Sequence, residues 1–300
     1  MRLFSLCLGA LIALTSAGCF AVTDLDRFEQ DQGSLGQGGT TGAAPSPYRD
    51  LRFTLKNMKP HAKHYFAYRI VSDQNIVVGE GALAPFGPSV QGPNNDPLDT
   101  LIEVHHAVPK VGNFHLDFYA DLDGSGSYNG IGAIKTNDHA WRITSLNELD
   151  PSVGTVTDDA IDITFSHTTN FNDIDEGGAP QLVGLDAHIN LVNTSAFYGR
   201  VVEVRVIDRA NDHTVGIERF TSLDASQTVA TVAGMIDPGV DYDIEVYADG
   251  NGDSIYQDTD VAGGDSGWRI PVTATDDGLE VTLDMAVGAQ PPTRVPYAFP

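Results

Sequence analysis

The main structural signal in this chain is an alternation of apolar and polar residues. Short runs in which every second residue is apolar recur along the sequence: Leu51/Phe53/Leu55, Phe114/Leu116/Phe118, Ile161/Ile163/Phe165, Val202/Val204/Val206, Tyr242/Ile244/Val246 and Leu279/Val281/Leu283. A period of two is typical of half-buried β-strands. Clusters of Gly, Pro and Asn separate the runs, and no stretch has the long periodicity of an amphipathic helix. The pattern therefore predicts an all-β fold of short strands joined by turns.

The chain also contains an internal repeat. A Tyr-Ala-Asp strand end at residues 119–121, followed by an acidic Gly-rich loop, recurs at residues 247–249. The two tryptophans of the protein, Trp141 and Trp268, each follow an Asp by three residues and precede an Arg. Several matches in the same order indicate a duplicated domain, and two copies are too few for a solenoid.

The repeat divides the chain into segments. We predict one copy at residues 48–172, a linker at 173–180, a second copy at 181–287 and a Pro-rich tail at 288–300. Short strands with frequent turns, over about 110 to 120 residues per copy, favour a β-sandwich. The expected architecture is two tandem β-sandwich domains, either immunoglobulin-like or transthyretin-like.

Residues 1–18 have the pattern of a secretory signal peptide. Arg2 supplies a positive charge, an apolar run follows to Leu14, and residues 15–18 are small and weakly polar. Because the apolar run is too short to span a bilayer stably, we interpret it as an export signal and not as a transmembrane helix.

The residue after this signal is Cys19, and the segment resembles a bacterial lipoprotein signal. Ser16 stands where such signals prefer Leu. The resemblance implies that Cys19 is lipidated and becomes the mature N-terminus, attached to a membrane; cleavage near Ala17 or Ala21, giving a free secreted protein, is the alternative. Residues 19–47 are polar and rich in Gly, which is typical of a flexible tether.

Charge and cysteine content narrow the classes of partner. The chain has 41 Asp and Glu residues against 17 Lys and Arg residues, for a formal net charge of −24. This balance argues against nucleic acid as a partner, since binding phosphates requires basic patches. Cys7 would leave with the signal, so the mature domains have no disulfide or thiolate and must be stabilised by core burial or by metal.

The acidic loop of the second copy has the character of a calcium site. Asp249, Asn251 and Asp253 place oxygen-bearing side chains at every second position, while glycines let the backbone curl around an ion. The loop resembles those of EF-hand and dockerin proteins over about a dozen residues. The resemblance implies calcium, with these ligands: Asp249, Asn251, Asp253, the Ile255 carbonyl and Asp260. Ser254 replaces the usual Gly, and Asp260 stands where those loops have Glu.

The first copy offers Asp121, Asp123 and Ser125 at the corresponding positions, but it has Gly132 where the last acid would stand. Both copies place an Asp three residues before the Trp, and we expect these two residues, Asp138 and Asp265, to close the ion site. The alternative is a Gly-rich hairpin whose Asp and Asn residues form Asx turns without any ion. The Trp-Arg pairs are expected to be structural, with each Arg pairing with a nearby carboxylate.

Histidines suggest a different metal. Seven of the nine fall in the first copy, where His61 with His64, or the adjacent His105 and His106, could contribute to a transition-metal site. Scattered surface histidines are the simpler interpretation. The sequence has no Gly-x-Ser-x-Gly elbow, no His-Glu-x-x-His and no phosphate-binding glycine loop.

These observations favour a non-enzymatic protein of the cell envelope. The first hypothesis is a lipid-anchored protein of the outer membrane or cell surface. Its two calcium-stabilised β-sandwich domains would serve as a binding or structural module for an unknown protein or glycan ligand. The alternatives are a periplasmic transition-metal-binding protein that uses the histidines of the first copy, and a hydrolase of envelope polymers.

Overall fold

A computed structural model describes residues 45–84, 86, 100–131, 138–225, 228–252 and 265–286. The predicted all-β class is confirmed, because the described elements are strands and short 3₁₀ helices at Lys59–His61, Leu146–Glu148 and Thr194–Phe197. No helix among these residues is long and apolar enough to cross a membrane.

The strands repeat in the same order in the two copies. The first copy contains β1 (Tyr48–Lys56), β2 (Tyr65–Ser72), β3 (Val77–Ala84), β4 (Thr100–Pro109), β5 (Phe114–Asp121), β6 (His139–Ile143), β7 (Gly154–Val156) and β8 (Ala160–Ser166). The second copy contains β9 (Leu185–Val192), β10 (Val202–Asp208), β11 (His213–Phe220), β12 (Val229–Ile236), β13 (Asp241–Ala248), β14 (Ser266–Thr273) and β15 (Leu279–Asp284). Strands β1–β6 correspond to β9–β14, and β8 corresponds to β15.

The two copies share one sheet. An eight-stranded sheet has the order β14-β13-β10-β11-β3-β2-β5-β6, and two smaller sheets have the orders β4-β1-β8-β7 and β12-β9-β15. The copies meet where β3 pairs in parallel with β11, in a register that runs from Glu80 opposite Gly216 to Ala84 opposite Phe220. The described parts of both copies therefore belong to one compact unit.

The parallel pairing sets the two copies in a defined relation. The equivalent strands of the two copies follow outward from this pair in the same order on its two sides, so the copies are related by a pseudo-two-fold axis along the strands. Such an axis exchanges the faces of the sheet. The small sheets accordingly cover opposite faces. Two neighbouring residues of β11, which face opposite sides of the sheet, illustrate this. Ile217 packs into the core of the first copy, whereas Gly216 faces β12 of the second copy, where an added Cβ would lie 2.3 Å from Val232.

Each copy has its own hydrophobic core, between a small sheet and its half of the large one. In the first copy Phe53 on β1 packs edge-on against Phe118 on β5, with ring centroids 4.9 Å apart. In the second copy Ile189, Val204 and Ile244 are fully buried in one cluster. Burial of each such side chain contributes about 1.5–3 kcal/mol. These are the apolar positions of the alternating runs, so the sandwich prediction is confirmed.

Part of the predicted linker is folded onto the first copy. Just before this segment, Asn172 donates its backbone N–H to the Ala140 carbonyl over 2.8 Å; within it, the Ile174 carbonyl accepts a hydrogen bond from Arg142 over 2.7 Å. Ile174 is only 2% exposed, in an apolar cluster on the outer face of the large sheet. The chain between the copies thus covers sheet surface that the small sheet leaves open.

Two glutamates at the junction make its stability depend on pH. Glu80 on β3 accepts the Ala233 N–H, and Glu218 on β11 accepts the Thr231 N–H, each over 2.6 Å. Burial raises the pKa of each carboxyl group to about 7. Since this is above the value in an unfolded chain, the contribution to stability is complete below about pH 4.5 and is lost as pH rises through about 7.

We therefore predict that Glu80→Gln removes part of this pH dependence. The amide keeps an oxygen for the Ala233 N–H but does not ionise. The free energy of unfolding of the native protein relative to the variant should fall by about 1 kcal/mol between pH 5 and pH 8. Denaturant titrations at both pH values measure it, with Glu280→Gln at an exposed position as control. Equal pH dependence of the variant and the native protein would contradict the prediction.

Candidate functional site

The acidic loop of the first copy brings three predicted ligands together. Asp121 is the last residue of β5, Asp138 immediately precedes β6, and Asp123 lies in the loop between them. One carboxylate oxygen from each lies within 4.8 Å of the other two. Asp121 and Asp138 are buried, while Asp123 is exposed. The strand pair β5–β6 therefore holds two buried carboxylates under a loop that carries a third.

Backbone amides also point at these carboxylates. Asp121 Oδ1 accepts the Gly124 N–H over 2.7 Å. Asp138 bridges the two sides of the loop, because its Oδ1 accepts the Leu122 N–H over 3.1 Å and its Oδ2 accepts the Asn129 N–H over 2.9 Å. A carboxylate has about four lone-pair sites. The amides thus fix the orientation of both groups while leaving acceptor capacity on each.

Ser125 and Asn129 complete the loop of the first copy. Ser125, a predicted ligand, is exposed; its hydroxyl donates to the Ser127 carbonyl over 2.9 Å, and its N–H donates to Asp123 over 3.0 Å. Asn129 was not among the predicted residues, yet its side chain donates to Asp123 over 2.5 Å. Its place directly after Tyr128, which matches Tyr256 in the repeat, is the sequence signal that could have identified it.

The pKa values of two carboxylates in this loop are shifted in opposite directions. Hydrogen bonds from Asn129 and Ser125 lower the pKa of Asp123. Burial raises the pKa of Asp138 above its usual value, and the neighbouring carboxylates of Asp121 and Asp123 add to that effect. Three acidic groups in one loop, two of them buried, form a site that a cation would stabilise.

The second copy repeats the same bonding pattern in its described part. Asp265 Oδ1 accepts the Gly250 N–H over 2.8 Å, as Asp138 does from Leu122, and Asp249 Oδ1 accepts the Gly252 N–H over 2.5 Å. Asp249 and Asp265 are 1% and 2% exposed. Asn251 lies in the same loop and is exposed. The other predicted ligands, Asp253, Ile255 and Asp260, lie outside the described residues.

The Trp-Arg pairs have the structural role that the sequence predicts. Trp141 and Trp268 are buried, one in each core. Arg142 Nε lies 2.6 Å from Asp117 Oδ1, and Arg269 pairs with Asp243, two residues before the position equivalent to Asp117. These ion pairs fasten β6 to β5 and β14 to β13, so they fix the strands that carry the acidic loops.

The adjacent His105 and His106 join the two copies. His105 Nδ1 lies 2.9 Å from Asp50 Oδ1, and His106 Nδ1 lies 3.1 Å from Asp212 Oδ2. Asp212 belongs to the turn between β10 and β11. The ligand atoms of Asp50, His105 and His106 also fall within 4.8 Å of one another. Both histidines are thus engaged with carboxylates in a contact between the copies.

His61 has a different environment. It ends the first 3₁₀ helix, is completely buried, and has its ring centroid 5.1 Å from that of His139 and 4.9 Å from that of His167. Burial lowers the pKa of His61 to about 3, and the imidazoles of His167, His139 and His64 contribute to that shift. The sequence suggested His61 with His64, but it gave no indication that His139 and His167 complete the cluster.

Comparisons with known proteins assign no family. No protein family and no curated protein sequence matches the chain. Among solved structures, the C-terminally truncated tip fimbrial protein Mfa3 of Porphyromonas gingivalis is 10% identical, with a TM-score of 0.23 and coverage of 77% of this chain and 83% of that chain. The Bacillus anthracis TIE protein is 10% identical, with a TM-score of 0.21 and coverage of 80% and 34%. A candidate cell adhesion protein of Parabacteroides distasonis is 12% identical, with a TM-score of 0.22 and coverage of 78% and 88%. Likenesses this weak support no argument about function.

Proposed function

We propose that this protein is exported, anchored to a membrane through lipid on Cys19, and acts as a surface binding or structural module whose two acidic loops hold calcium. The observation that carries the proposal is the duplicated loop geometry. In both copies a buried Asp at the end of one strand and a buried Asp before the next bind equivalent amides.

Simple turns account for only part of this geometry. An Asx turn needs one side chain that binds its own backbone two residues on. Asp121 and Asp138 are separated along the chain, yet their carboxylates converge with that of Asp123. Carboxylates at such distances repel one another, and oxygen-only ligands of high negative charge suit Ca²⁺.

The fold places both loops at one end of the molecule. Strands β5 and β13 both run parallel to the central β3–β11 pair. The loops that follow them therefore leave the large sheet at the same end of its strands. The first strand begins at Tyr48, whose ring stacks on His213 beside the turn between β10 and β11. This turn lies at the opposite end of the strands. A strand of eight residues spans about 25 Å. The acidic loops therefore lie about one strand length away from Tyr48.

This arrangement supports a role in binding a partner through the end of the molecule that carries both acidic loops. Calcium would neutralise and rigidify two loops that lie at the same end and are related by the pseudo-two-fold axis. A protein or glycan ligand could then contact both copies at once, and such bivalent contact increases affinity without any new type of interaction.

Calcium should raise the thermal unfolding midpoint of the mature protein relative to protein treated with chelator. At a concentration one hundred times the dissociation constant, each ion adds about 2.7 kcal/mol, which corresponds to several degrees for a unit of this size. Asp123→Asn with Asp138→Asn should remove the gain from the first copy, and Asp249→Ala with Asp253→Ala that from the second.

The matched control for the calcium test is Asp150→Asn. Asp150 is exposed and accepts the Ser152 N–H over 2.8 Å in an ordinary turn, so this change should leave the calcium effect intact. If the loop variants lose equal stability in calcium and in chelator, the loops are turns and the calcium proposal fails.

The lipid anchor has its own test. In a bacterial host, Cys19→Ser should move the protein from the membrane fraction to the soluble fraction and abolish incorporation of a labelled fatty acid. Cys7→Ser is the control, because Cys7 lies within the predicted signal. An unlabelled native protein that is already soluble would show that the chain is secreted without an anchor.

A further inference from the structure

Three histidines meet at the end of the first copy that carries the acidic loop. His61 ends the 3₁₀ helix before β2, His139 opens β6, and His167 directly follows β8. Their rings surround one side of Trp141, whose ring centroid lies 5.4 Å from that of His61 and 5.7 Å from that of His167. Three separate segments of the chain thus deliver an imidazole to one place.

Four ring nitrogens of this cluster have no hydrogen-bond partner among the described residues. Both nitrogens of His61, Nδ1 of His139 and Nε2 of His167 are buried, and no described residue bonds to them. A neutral imidazole carries one donor and one acceptor. Leaving a buried polar group unsatisfied costs about 1–3 kcal/mol. The cluster therefore lowers stability unless something binds these nitrogens.

The second copy shows that the fold does not need a histidine at the central position. Phe197 ends the equivalent 3₁₀ helix and packs on Trp268 with ring centroids 5.7 Å apart at 87°, while His61 packs on Trp141 at 5.4 Å and 76°. An apolar ring performs the same packing without an unsatisfied nitrogen. Packing alone therefore does not explain why the first copy has a histidine at this position.

The other two histidines are also replaced in the second copy. His139 opens β6 where Ser266 opens β14. His167 donates its backbone N–H to the carbonyl at the end of β1 over 2.9 Å, as Met285 does at the end of β9 over 3.0 Å. Three contacting positions thus differ together between the copies, and all three are histidine in only one of them.

We propose that His61, His139 and His167 form a binding site for a transition-metal ion such as Zn²⁺ or Cu²⁺. Neutral imidazole nitrogen suits these ions, whereas Ca²⁺ prefers oxygen, so the site is separate from the acidic loops. Three protein ligands leave one position of a tetrahedral ion open for water or another molecule.

Binding requires a modest rearrangement of the cluster. The three imidazoles do not present their nitrogens within 4.8 Å of one another, unlike the two groups of described residues that do. His139 and His167 are partly exposed, so their rings can turn about the side-chain bonds toward the fixed ring of His61. Their exposure also gives an ion a route from solvent.

The test is a calorimetric titration of the mature protein with Zn²⁺ in the presence of excess Ca²⁺, with Co²⁺ absorption to report coordination geometry. The key variant combines His61→Phe, His139→Ser and His167→Met, which installs the residues of the second copy and should fold. Each single change should weaken Zn²⁺ binding at least about tenfold. Changing a residue that only hydrogen-bonds to a metal ligand already costs about 10–100-fold in affinity, and these histidines are proposed as the ligands themselves. His188→Gln, at a histidine on β9, is the matched control, and His105→Gln tests the other histidine group.

The proposal expects one Zn²⁺ site that survives in His188→Gln and His105→Gln and is lost in the triple variant. Cu²⁺ should quench the fluorescence of Trp141, and that quenching should also disappear in the triple variant. Without metal, the triple variant should be at least as stable as the native protein. Absence of Zn²⁺ and Cu²⁺ binding, binding retained by the triple variant, or binding lost in His105→Gln instead, would overturn the assignment.

Discussion

The parallel pairing of β3 with β11 is the interaction on which the rest of the structure depends. It converts two half-sheets into one eight-stranded sheet. Because the paired strands are equivalent and the two copies extend to opposite sides of them, it also imposes the pseudo-two-fold axis. That axis puts the small sheets on opposite faces and both acidic loops at one end. A different edge pairing would separate the loops, and the proposed bivalent surface would not exist.

Buried charges beside this junction restrict how the copies fit together. Arg219 on β11 lies 2.6 Å from Glu203 on β10 and also donates to the Leu101 carbonyl of the first copy over 3.4 Å. Burial alone would raise the pKa of Glu203, but the guanidinium groups of Arg205 and Arg219 hold it below its usual value. An unpaired charge in this place would be costly, so the network favours the one arrangement that satisfies all its members.

The sequence carried enough information to predict the strands and much of the acidic loops. Alternation of apolar residues identified the core positions, and the recurrence of Asp before Trp identified Asp138 and Asp265, which the structure places beside Asp121 and Asp249. These positions could be found because the signals are local: a strand and the loop that follows it lie within a short stretch of chain. The ion itself stays a prediction.

The junction and the histidine cluster could not be predicted from local sequence patterns. Glu80 and Glu218 look like ordinary solvent-facing strand residues in sequence, and only the packing of β12 over the junction buries them. His61, His139 and His167 are far apart along the chain, so no spacing marks them as neighbours. Both features arise from long-range packing, which a period of two does not encode.

Anomalous diffraction from crystals of the mature protein grown with calcium tests the central claim most directly. The account predicts two calcium peaks per chain: one among Asp121, Asp123 and Asp138, and one beside Asp249 and Asp265. Clear density for both loops with no peak in either, and with the amide-to-carboxylate hydrogen bonds intact, would show that these loops are turns and would contradict the account.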